Sequence, residues 1–434
     1  MSATLVRRRR REPPRPTLRG ALLAGLGVIG VVAALAMQRA DLFLVAAAFI
    51  LAVAAAHLVL LLLPAPRLVA HRSTRPDAVN AGDDASVAVA IRRADGRPVR
   101  LALWRDTLPP DVVAEQGGEA SSVPGDPAAT VVRYTIRAPR RGVYGIGPLH
   151  VPRLDPLGLA TVDSVVGTAA ALLVRPRVSA LEDSFLDEAA AGGAELVVMR
   201  RTTPSVDEVS ARDYERGDPM RRVNWRASAK RGRLMVRQEE QRSNPQSWLL
   251  LDTVQGRSRD AFELAIELAA SIGAHAIGRG FTVGIVETGG PQLEGEAVPY
   301  GAGYAPPDGE RLLVAQLAAV DATPSALAFA PAASAAIETF ADALRRSGAG
   351  TAAFAVLLDG RAERWRELAP VRGLAEPAVA FLLAADAEPA RLELEAAGWI
   401  CVVVAPATSP AEAWVAATEA AARRSGGRIG GARV

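Results

Sequence analysis

The chain has 434 residues, of which 50% are hydrophobic and 22% are charged, and its formal net charge is +3. This apolar content excludes a disordered or collagen-like chain, and the single cysteine excludes an internal disulfide framework. The length predicts two or three domains. Lys230 is the only lysine, so nearly every cation is an arginine and the local distribution of charge is more informative than the total.

Two uncharged apolar runs near the N-terminus predict a membrane-spanning helical hairpin. They cover residues 20–37 and 42–63. At about 1.5 Å per residue these runs reach about 27 and 33 Å, enough to cross a hydrocarbon core of roughly 30 Å. A cleaved signal peptide is the alternative, because a basic start followed by an apolar stretch also fits that pattern. The second run begins almost at once after the first, which favours the hairpin.

Positive charge flanks the hairpin at its two outer ends. The connector between the runs holds only one arginine and one aspartate. By the positive-inside rule, both termini and everything after residue 64 are expected to face the cytoplasm. The flanking basic residues are the arginines of 7–11, Arg15, Arg19, Arg67, His71, Arg72 and Arg75.

From about residue 68 to residue 177 the hydrophobic period is two. Val87, Val89 and Ile91 alternate with small residues, and Leu101 alternates in the same way with Leu103. Turn-forming pairs separate the runs. Short strands punctuated in this way predict a small antiparallel sandwich, all-β and immunoglobulin-like.

After residue 246 the pattern changes to alternating strands and helices. Strand-like runs occur at 248–251, 281–286, 352–358, 378–384 and 400–404, and helical runs at 260–278, 310–320, 335–347, 362–370, 388–397 and 410–423. This alternation predicts an α/β, Rossmann-like domain with a mostly parallel sheet covered on both faces. Ligands of such sheets bind beyond the carboxyl ends of the strands, which makes Asp252, Glu287 and Asp359 candidates for a site.

A basic segment lies between the two soluble domains. Asp218 followed by Pro219 is typical of a helix start, and Gly232 of the residue just past a helix end, so the pattern predicts a helix of about three turns. On that helix a cationic stripe is expected, because basic residues recur every four positions. The stripe consists of Arg222, Arg226 and Lys230.

The spacing of residues in this segment resembles the signature of the bacterial domain of unknown function 58 family. The resemblance extends to the membrane hairpin, to a β domain that ends in the sequence Asp-Pro-Leu-Gly-Leu at 155–159, and to the α/β domain after the signature. The matching positions are Arg212, Tyr214, Gly217, Asp218, Arg221, Val223, Asn224, Trp225, Ser228, Ala229, Arg231 and Leu234.

The resemblance implies a von Willebrand factor A-like fold for the last domain and a bacterial inner (plasma) membrane location. It also implies a MoxR-type AAA ATPase as partner and a transglutaminase-like membrane protein as a further neighbour. No catalytic activity comes with it. We expect the partner-binding residues to be Arg212, Tyr214, Gly217, Asp218, Arg221, Asn224, Trp225, Ser228 and Arg231.

The chain is therefore expected to be multidomain. The expected segments are a basic cytoplasmic tail at 1–17, a transmembrane hairpin at 18–64, the β-sandwich at 65–178, the signature segment at 179–245, the von Willebrand factor A-like domain at 246–424 and a flexible tail at 425–434.

The metal site of a von Willebrand A-type domain is degenerate in this sequence. Such a site uses Asp-x-Ser-x-Ser at the end of the first strand, where carboxylate and hydroxyl oxygens bind Mg²⁺. Here Asp252 is followed by Val254 and Gly256 at the two serine positions, and neither side chain offers an oxygen. We expect no metal or other cofactor, and we expect Asp252 to cap the following turn or helix.

The sequence is compatible with three kinds of function: an adaptor, a structural scaffold and a hydrolase. A hydrolase could use Asp213, Glu215 and Asp218, although the neighbouring arginines make an ion-pair network the preferred interpretation. Binding to nucleic acid is disfavoured, because acidic residues dilute the basic stripe. We favour a non-enzymatic, membrane-tethered adaptor that contacts the bilayer and a protein partner. A structural envelope scaffold and a hydrolase of unrecognised type are the alternatives.

Overall fold

The computed structural model describes two compact units, Met1–Val174 and Arg175–Val434. Every structural statement below refers to the residues that it describes. These are 13–63, 65–99, 101, 103–115, 120–123, 126–182, 186, 211–214, 220, 223, 225–237, 245–254, 258–293, 303–324, 330–348 and 351–430.

Two long helices open the first unit. They are α1 (Leu18–Met37) and α2 (Ala40–Leu62). Small residues let them approach closely, since a Cβ at Gly27 would lie only 2.7 Å from Cγ1 of Ile50. Both helices are long and apolar enough to cross a membrane, and only 17% and 22% of their apolar windows are buried. This arrangement fits the predicted hairpin.

The rest of the first unit is built from strands that pair mostly antiparallel. They are β1 (Arg15–Pro16), β2 (Leu68–Arg75), β3 (Ala78–Asn80), β4 (Asp84–Arg93), β5 (Arg105–Asp106), β6 (Val113–Glu115), β7 (Ser121–Val123), β8 (Asp126–Arg137), β9 (Gly142–Ile146), β10 (Leu149–Leu154), β11 (Ala160–Val166) and β12 (Ala170–Arg175). The sheet orders are β2-β4-β8-β6 with β7 beside β8, β3-β12-β9, and β1-β11-β10-β5. All three sheets contribute to one hydrophobic core.

Two features of this unit differ from the sequence-based expectation. Leu101 and Leu103 lie outside the strands. The neighbouring Val99 is attached to β8 by a side-chain hydrogen bond, in which the Thr130 hydroxyl donates to the Val99 carbonyl (2.6 Å). The end of the predicted N-terminal tail is also structured, because β1 pairs with β11.

A buried ion pair holds the β strands together. Arg72 of β2 donates to both carboxylate oxygens of Asp106 in β5, at 2.8 Å each from Nη2, and the two side chains are only 5% and 0% exposed. The Tyr134 hydroxyl on β8 donates to the same carboxylate at 2.5 Å. Burial is the main reason why the pKa of Tyr134 is raised, so the phenol stays protonated as a donor.

The second unit contains the α/β domain. Its strands are β15 (Gln246–Leu251), β16 (Thr282–Glu287), β17 (Ala352–Leu357), β18 (Ala378–Leu382) and β19 (Ile400–Val403), preceded by β13 (Ala211–Asp213) and β14 (Met235–Arg237). Its helices are α3 (Trp225–Arg231), α4 (Arg259–Gly278), α5 (Gly309–Leu317), α6 (Ala330–Ser347), α7 (Ala362–Trp365), α8 (Glu388–Ala396) and α9 (Pro410–Gly430).

The five strands β15 to β19 form one parallel sheet in the order β16-β15-β17-β18-β19. Successive side chains of β15 enter different cores, as Leu249 faces the layer of α4 and α9 and Leu250 faces the layer of α6 and α8. The predicted parallel sheet with helices on both faces is confirmed. Helix α4 also has the length and composition of a membrane span, but 78% of that window is buried inside this domain.

Two helix boundaries differ from the prediction. The helix expected at 362–370 is split into α7 and a 3-10 helix at Ala369–Leu374, and between them the Leu368 amide donates to the Trp365 carbonyl three residues back (2.9 Å). Helix α9 continues to Gly430, so most of the tail expected from residue 425 is helical.

Candidate functional site

The signature segment folds as a strand, a short helix and a returning strand, which we call the signature hairpin (β13, α3 and β14). Strands β13 and β14 pair antiparallel, with Arg212 opposite Val236. The pairing is extended by a bond from the Tyr214 amide to the Leu234 carbonyl (2.9 Å). Helix α3 therefore starts and ends beside the same two-stranded ribbon.

Ser228 fixes α3 to strand β14. Its hydroxyl oxygen accepts a hydrogen bond from the Met235 amide at 2.8 Å. Met235 is 1% exposed, so its amide would lose a hydrogen bond in a buried position without the serine. Ser228 is thus a residue that sets the position of the helix.

The helix of the signature is shorter than predicted. It begins at Trp225, not at Pro219, because Val223 forms a β-bridge with Val236 and is 7% exposed. A residue held in a bridge cannot continue a helix towards the N-terminus. Of the predicted cationic stripe, Arg226 and Lys230 belong to α3, and Arg222 lies outside the described part of the chain.

The signature hairpin exposes apolar side chains. Trp225 is 63% exposed, Met220 52% and Leu234 40%. Lys230 and Arg231 at the end of α3 are exposed as well. A tryptophan with this exposure beside cations is typical of protein-binding surfaces, where tryptophan and arginine are enriched.

The structure locates only part of the predicted signature site. Tyr214, Trp225, Ser228 and Arg231 lie together in the signature hairpin, and the backbone of Arg212 belongs to β13. The remaining predicted residues lie outside the described part of the chain, as does the side chain of Arg212. They are Gly217, Asp218, Arg221 and Asn224.

A second candidate site lies at the carboxyl edge of the parallel sheet. A cavity of about 760 Å³ is lined there by residues that follow β15, β17, β18 and β19. Strand β15 has β16 on one side and β17 on the other, so the chain reverses its direction of winding at this point. Doubly wound sheets bind ligands at such a switch point.

Asp252 is the buried acidic group of this edge, at 1% exposure. Its Oδ1 accepts from the Thr288 hydroxyl (2.5 Å), the Val254 amide (3.3 Å) and Nη2 of Arg364 (3.0 Å). Its Oδ2 accepts from the Leu358 amide at 3.1 Å. Asp252 therefore braces the turn after β15, as expected, and in addition binds an internal cation.

The cation that binds Asp252 is Arg364, which belongs to helix α7. Trp365 anchors the helix, because its side chain is fully buried and its indole Nε1 donates to the Asp359 carbonyl at 2.7 Å. The preceding residue, Arg364, is then directed over the ends of β15 and β17, and its side chain is 18% exposed. Arg361 binds the Asp359 carboxylate from the solvent side and is 70% exposed.

The electrostatics of Asp359 follow from these two arginines. Burial alone would raise the pKa of its carboxyl, but hydrogen bonds from the side chain and amide of Arg361 outweigh that effect. The charges of Arg361 and Arg364 act in the same direction, and the net result is a lowered pKa. Asp359 is therefore an anion in this edge and not a proton donor near neutral pH.

The third candidate carboxylate has a different role. Glu287 ends β16, and its Oε2 accepts hydrogen bonds from the amides of Gln292 and Leu293 at 2.7 and 2.9 Å. It braces the loop after β16 and does not line the cavity with Asp252 and Asp359.

A divalent metal of the von Willebrand A type does not fit these residues. Both oxygens of Asp252 already accept hydrogen bonds, and a guanidinium lies against Oδ1. Thr253 cannot substitute for a missing serine, because its hydroxyl oxygen accepts from the Gly289 amide (2.9 Å). Among the described residues, no group of three or more His, Cys, Asp or Glu side chains is arranged to hold a metal ion.

Sequence reasoning missed Arg361 and Arg364. Their signal was present in the sequence Asp-Gly-Arg-Ala-Glu-Arg at 359–364, directly after a predicted strand. The sequence alone could not show that Arg364 contacts Asp252, because these residues are brought together only by the fold.

Comparison with known proteins identifies a family that the second half of the chain matches. Residues 210–424 match the family described as "Protein of unknown function DUF58", a region that begins at the signature hairpin and includes the α/β domain. The resemblance seen in the sequence is confirmed, since this region of the chain matches the DUF58 family.

One relative is the Bacillus subtilis (strain 168) protein described as "Uncharacterized protein YeaD". It is 26% identical over 237 residues. The aligned part covers 53% of this chain and 58% of the relative, so the chain matches little more than half of that protein's length.

Proposed function

We propose that this protein is a non-enzymatic adaptor, tethered to the bacterial inner membrane by α1 and α2, with both termini and the soluble domains in the cytoplasm. The signature hairpin binds a protein partner, for which the best candidate is a MoxR-type AAA ATPase. The complex assists the assembly of membrane or envelope proteins. Within this proposal the β domain is immunoglobulin-like and the α/β domain is von Willebrand factor A-like.

The exposure of Trp225 is the observation that supports a binding function. Its indole is 63% exposed although α3 is held rigidly to β14 through Ser228. A large apolar side chain kept at the surface by a fixed scaffold loses little conformational entropy when it binds. Interface positions of this kind dominate affinity, and removal of a central tryptophan typically costs about 2 kcal/mol or more.

Partner capture from native membranes tests the proposal. The tagged full-length protein is extracted gently, and co-purifying proteins are identified by mass spectrometry for the wild type and for Trp225→Ala. Leu392→Ala is the matched control, because Leu392 is a 55% exposed apolar residue on α8, an element outside the signature hairpin. We expect an AAA ATPase with the wild type and the control. The tryptophan variant is expected to lose roughly thirty-fold in affinity, as about 2 kcal/mol implies.

Two outcomes would contradict the adaptor function. Recovery of the same ATPase with a correctly folded Trp225→Ala protein would make the signature hairpin a structural element. Recovery of integral membrane proteins without an ATPase would favour the envelope scaffold.

A further inference from the structure

The Asp-Pro-Leu-Gly-Leu sequence at 155–159 forms the turn between β10 and β11, which we call the β10–β11 turn. Asp155 organises it: Oδ2 accepts from the Leu157 amide at 2.8 Å and Oδ1 from the Ala160 amide at 2.6 Å. Asp155 is 5% exposed, so both hydrogen bonds are shielded from water. The turn is therefore rigid, and its side chains have fixed positions.

This turn is attached to the start of α1. The Thr17 amide donates to the Leu159 carbonyl (3.0 Å), and the Thr17 hydroxyl donates to the Gly158 carbonyl (2.7 Å). The backbone of Gly20 touches the turn so closely that a Cβ there would lie 2.0 Å from the Leu159 oxygen. Only glycine permits this contact between turn and helix.

The same region is attached to the end of α2. Arg153, just before the turn, donates to the carbonyls of Leu60 (2.8 Å) and Leu63 (3.2 Å), which have no partner further along the helix. Leu159 and Ala160 are buried in a cluster of apolar residues from both helices. That cluster contains Leu23, Ala24, Val53, Ala56 and Leu60.

The apolar cluster that contains Leu159 and Ala160 extends along both helices. Val53 precedes the end of α2 at Leu62 by nine residues, or about 14 Å at 1.5 Å per residue. On α1 the residues packed against the cluster include Ala24, inside the apolar span. The β10–β11 turn thus lies beside the apolar part of the hairpin and not only beside its polar ends.

The tip of the turn carries an exposed leucine. Leu157 is 67% exposed and Leu154 40%. The neighbouring helix ends also expose apolar side chains, with Leu22 at 65% and Leu61 at 58%. Arg19, exposed on the first turn of α1, is a cation that suits anionic lipid headgroups at the same boundary.

We propose that the β10–β11 turn is a third membrane-contacting element, with Leu157 inserted into the interfacial region of the bilayer. This proposal rests on the membrane hairpin of the proposed function. The occupant of the apolar surface is lipid, because the surface is continuous with helices whose own outward faces are apolar. Insertion of the turn fixes the orientation of the β domain relative to the bilayer, since β10 and β11 continue directly from it.

Depth-dependent fluorescence quenching tests the proposal in the full-length protein. In a Cys401→Ala background, Leu157→Cys is labelled with the fluorophore NBD and reconstituted into vesicles of phosphatidylcholine and phosphatidylglycerol. Some of the lipid carries a nitroxide near the headgroup or deep in the chain. Leu154→Cys is a second position in the same region.

Val113→Cys is the matched control, because Val113 is 68% exposed. The strand register places it opposite Arg137, at the end of the sheet remote from Leu68 and α2. Leu26→Cys, in the middle of α1, reports on the hairpin itself. We expect a blue shift and a loss of fluorescence at 157 with the shallow nitroxide, loss at 26 with the deep nitroxide, and neither at 113.

The possible failures are distinguishable. If position 26 is quenched while 157 and 154 behave like 113, the hairpin spans the bilayer but the turn does not touch it, and the inference is wrong. If position 26 is not quenched, the proposed membrane anchor itself fails.

Discussion

At the scale of residues, each unit neutralises a buried carboxylate with an arginine. Arg72 binds Asp106 in the β domain, and Arg364 binds Asp252 at the sheet edge. A planar guanidinium can serve both carboxylate oxygens or several acceptors at once, which a lysine ammonium does less well. The sequence contains a single lysine, so arginine fills this role in both places.

Replacement of Asp106 by asparagine is expected to destabilise the protein strongly. The change leaves the Arg72 charge buried at 5% exposure without its counter-ion, which typically costs about 3 to 5 kcal/mol. Asp84→Asn is the control, since its ion pair with Arg137 is more than half exposed on both sides and solvent screens it. Denaturant unfolding in detergent measures both. Equal destabilisation by the two variants would contradict a larger contribution of the buried ion pair to stability.

The lowered pKa of Asp359 predicts a pH-dependent contribution to stability. A carboxyl with a lower pKa in the folded state stabilises the protein above its ordinary pKa of about 4, and this contribution is lost as the pH falls through the folded-state value. Relative to Asp359→Asn, the wild type should therefore lose stability in acid. Thermal unfolding of both proteins over a pH series measures the difference. A difference that stays constant from neutral to acidic pH would contradict the lowered pKa.

At the scale of elements, short segments position the functional groups. Helix α7 spans only Ala362–Trp365, yet the buried Trp365 fixes it and thereby directs Arg364 onto the end of β15. Helix α3 is similarly short and is fixed by Ser228. In both cases one anchored residue places a neighbour that is available for function.

We expect Arg364→Ala to open the carboxyl edge to divalent cations. The variant leaves the Asp252 carboxylate buried without its internal cation, which lowers the free energy of unfolding by about 3 to 5 kcal/mol. Mg²⁺ or Mn²⁺ can then take the place of the guanidinium beside Oδ1, which still accepts from Thr288 and Val254, and a ligand of the folded state raises the melting temperature. The measurement is thermal unfolding with and without the metal and with a chelator.

The control for this prediction is Arg361→Ala, three residues earlier in the chain and 70% exposed. The wild type and this control should melt at the same temperature with metal and with chelator. Metal stabilisation of the wild type would mean that Arg364 does not exclude the ion, and an Arg364→Ala protein indifferent to metal would mean that the edge lacks further ligands.

At the scale of the whole molecule, periodic patterns predicted the architecture well. The hairpin, the antiparallel strands and the parallel sheet each rest on a long apolar periodicity, and each is present. Contacts between residues far apart in the sequence could not be predicted from periodicity. The bridge of Val223 to Val236 shortened α3, and the contacts of Arg364 with Asp252 and of Thr17 with Leu159 join residues far apart in sequence.

The orientation of the hairpin is decided by the chain as a whole. Basic residues outside the hairpin far outnumber the single arginine of the connector, and they count while the chain is being inserted. We therefore expect the connector outside and the remaining chain in the cytoplasm.

Single cysteines labelled by a membrane-impermeant maleimide on intact spheroplasts measure this orientation. Burial raises the pKa of the native Cys401 thiol to about 12, so it reacts slowly, and Cys401→Ala removes it altogether. Gln38→Cys in the connector should react in intact spheroplasts, and Asp77→Cys after β2 only once the membrane is permeabilised. Labelling at 77 and not at 38 would invert the topology. The signature hairpin would then lie out of reach of a cytoplasmic ATPase, and the proposed partnership would have to be abandoned.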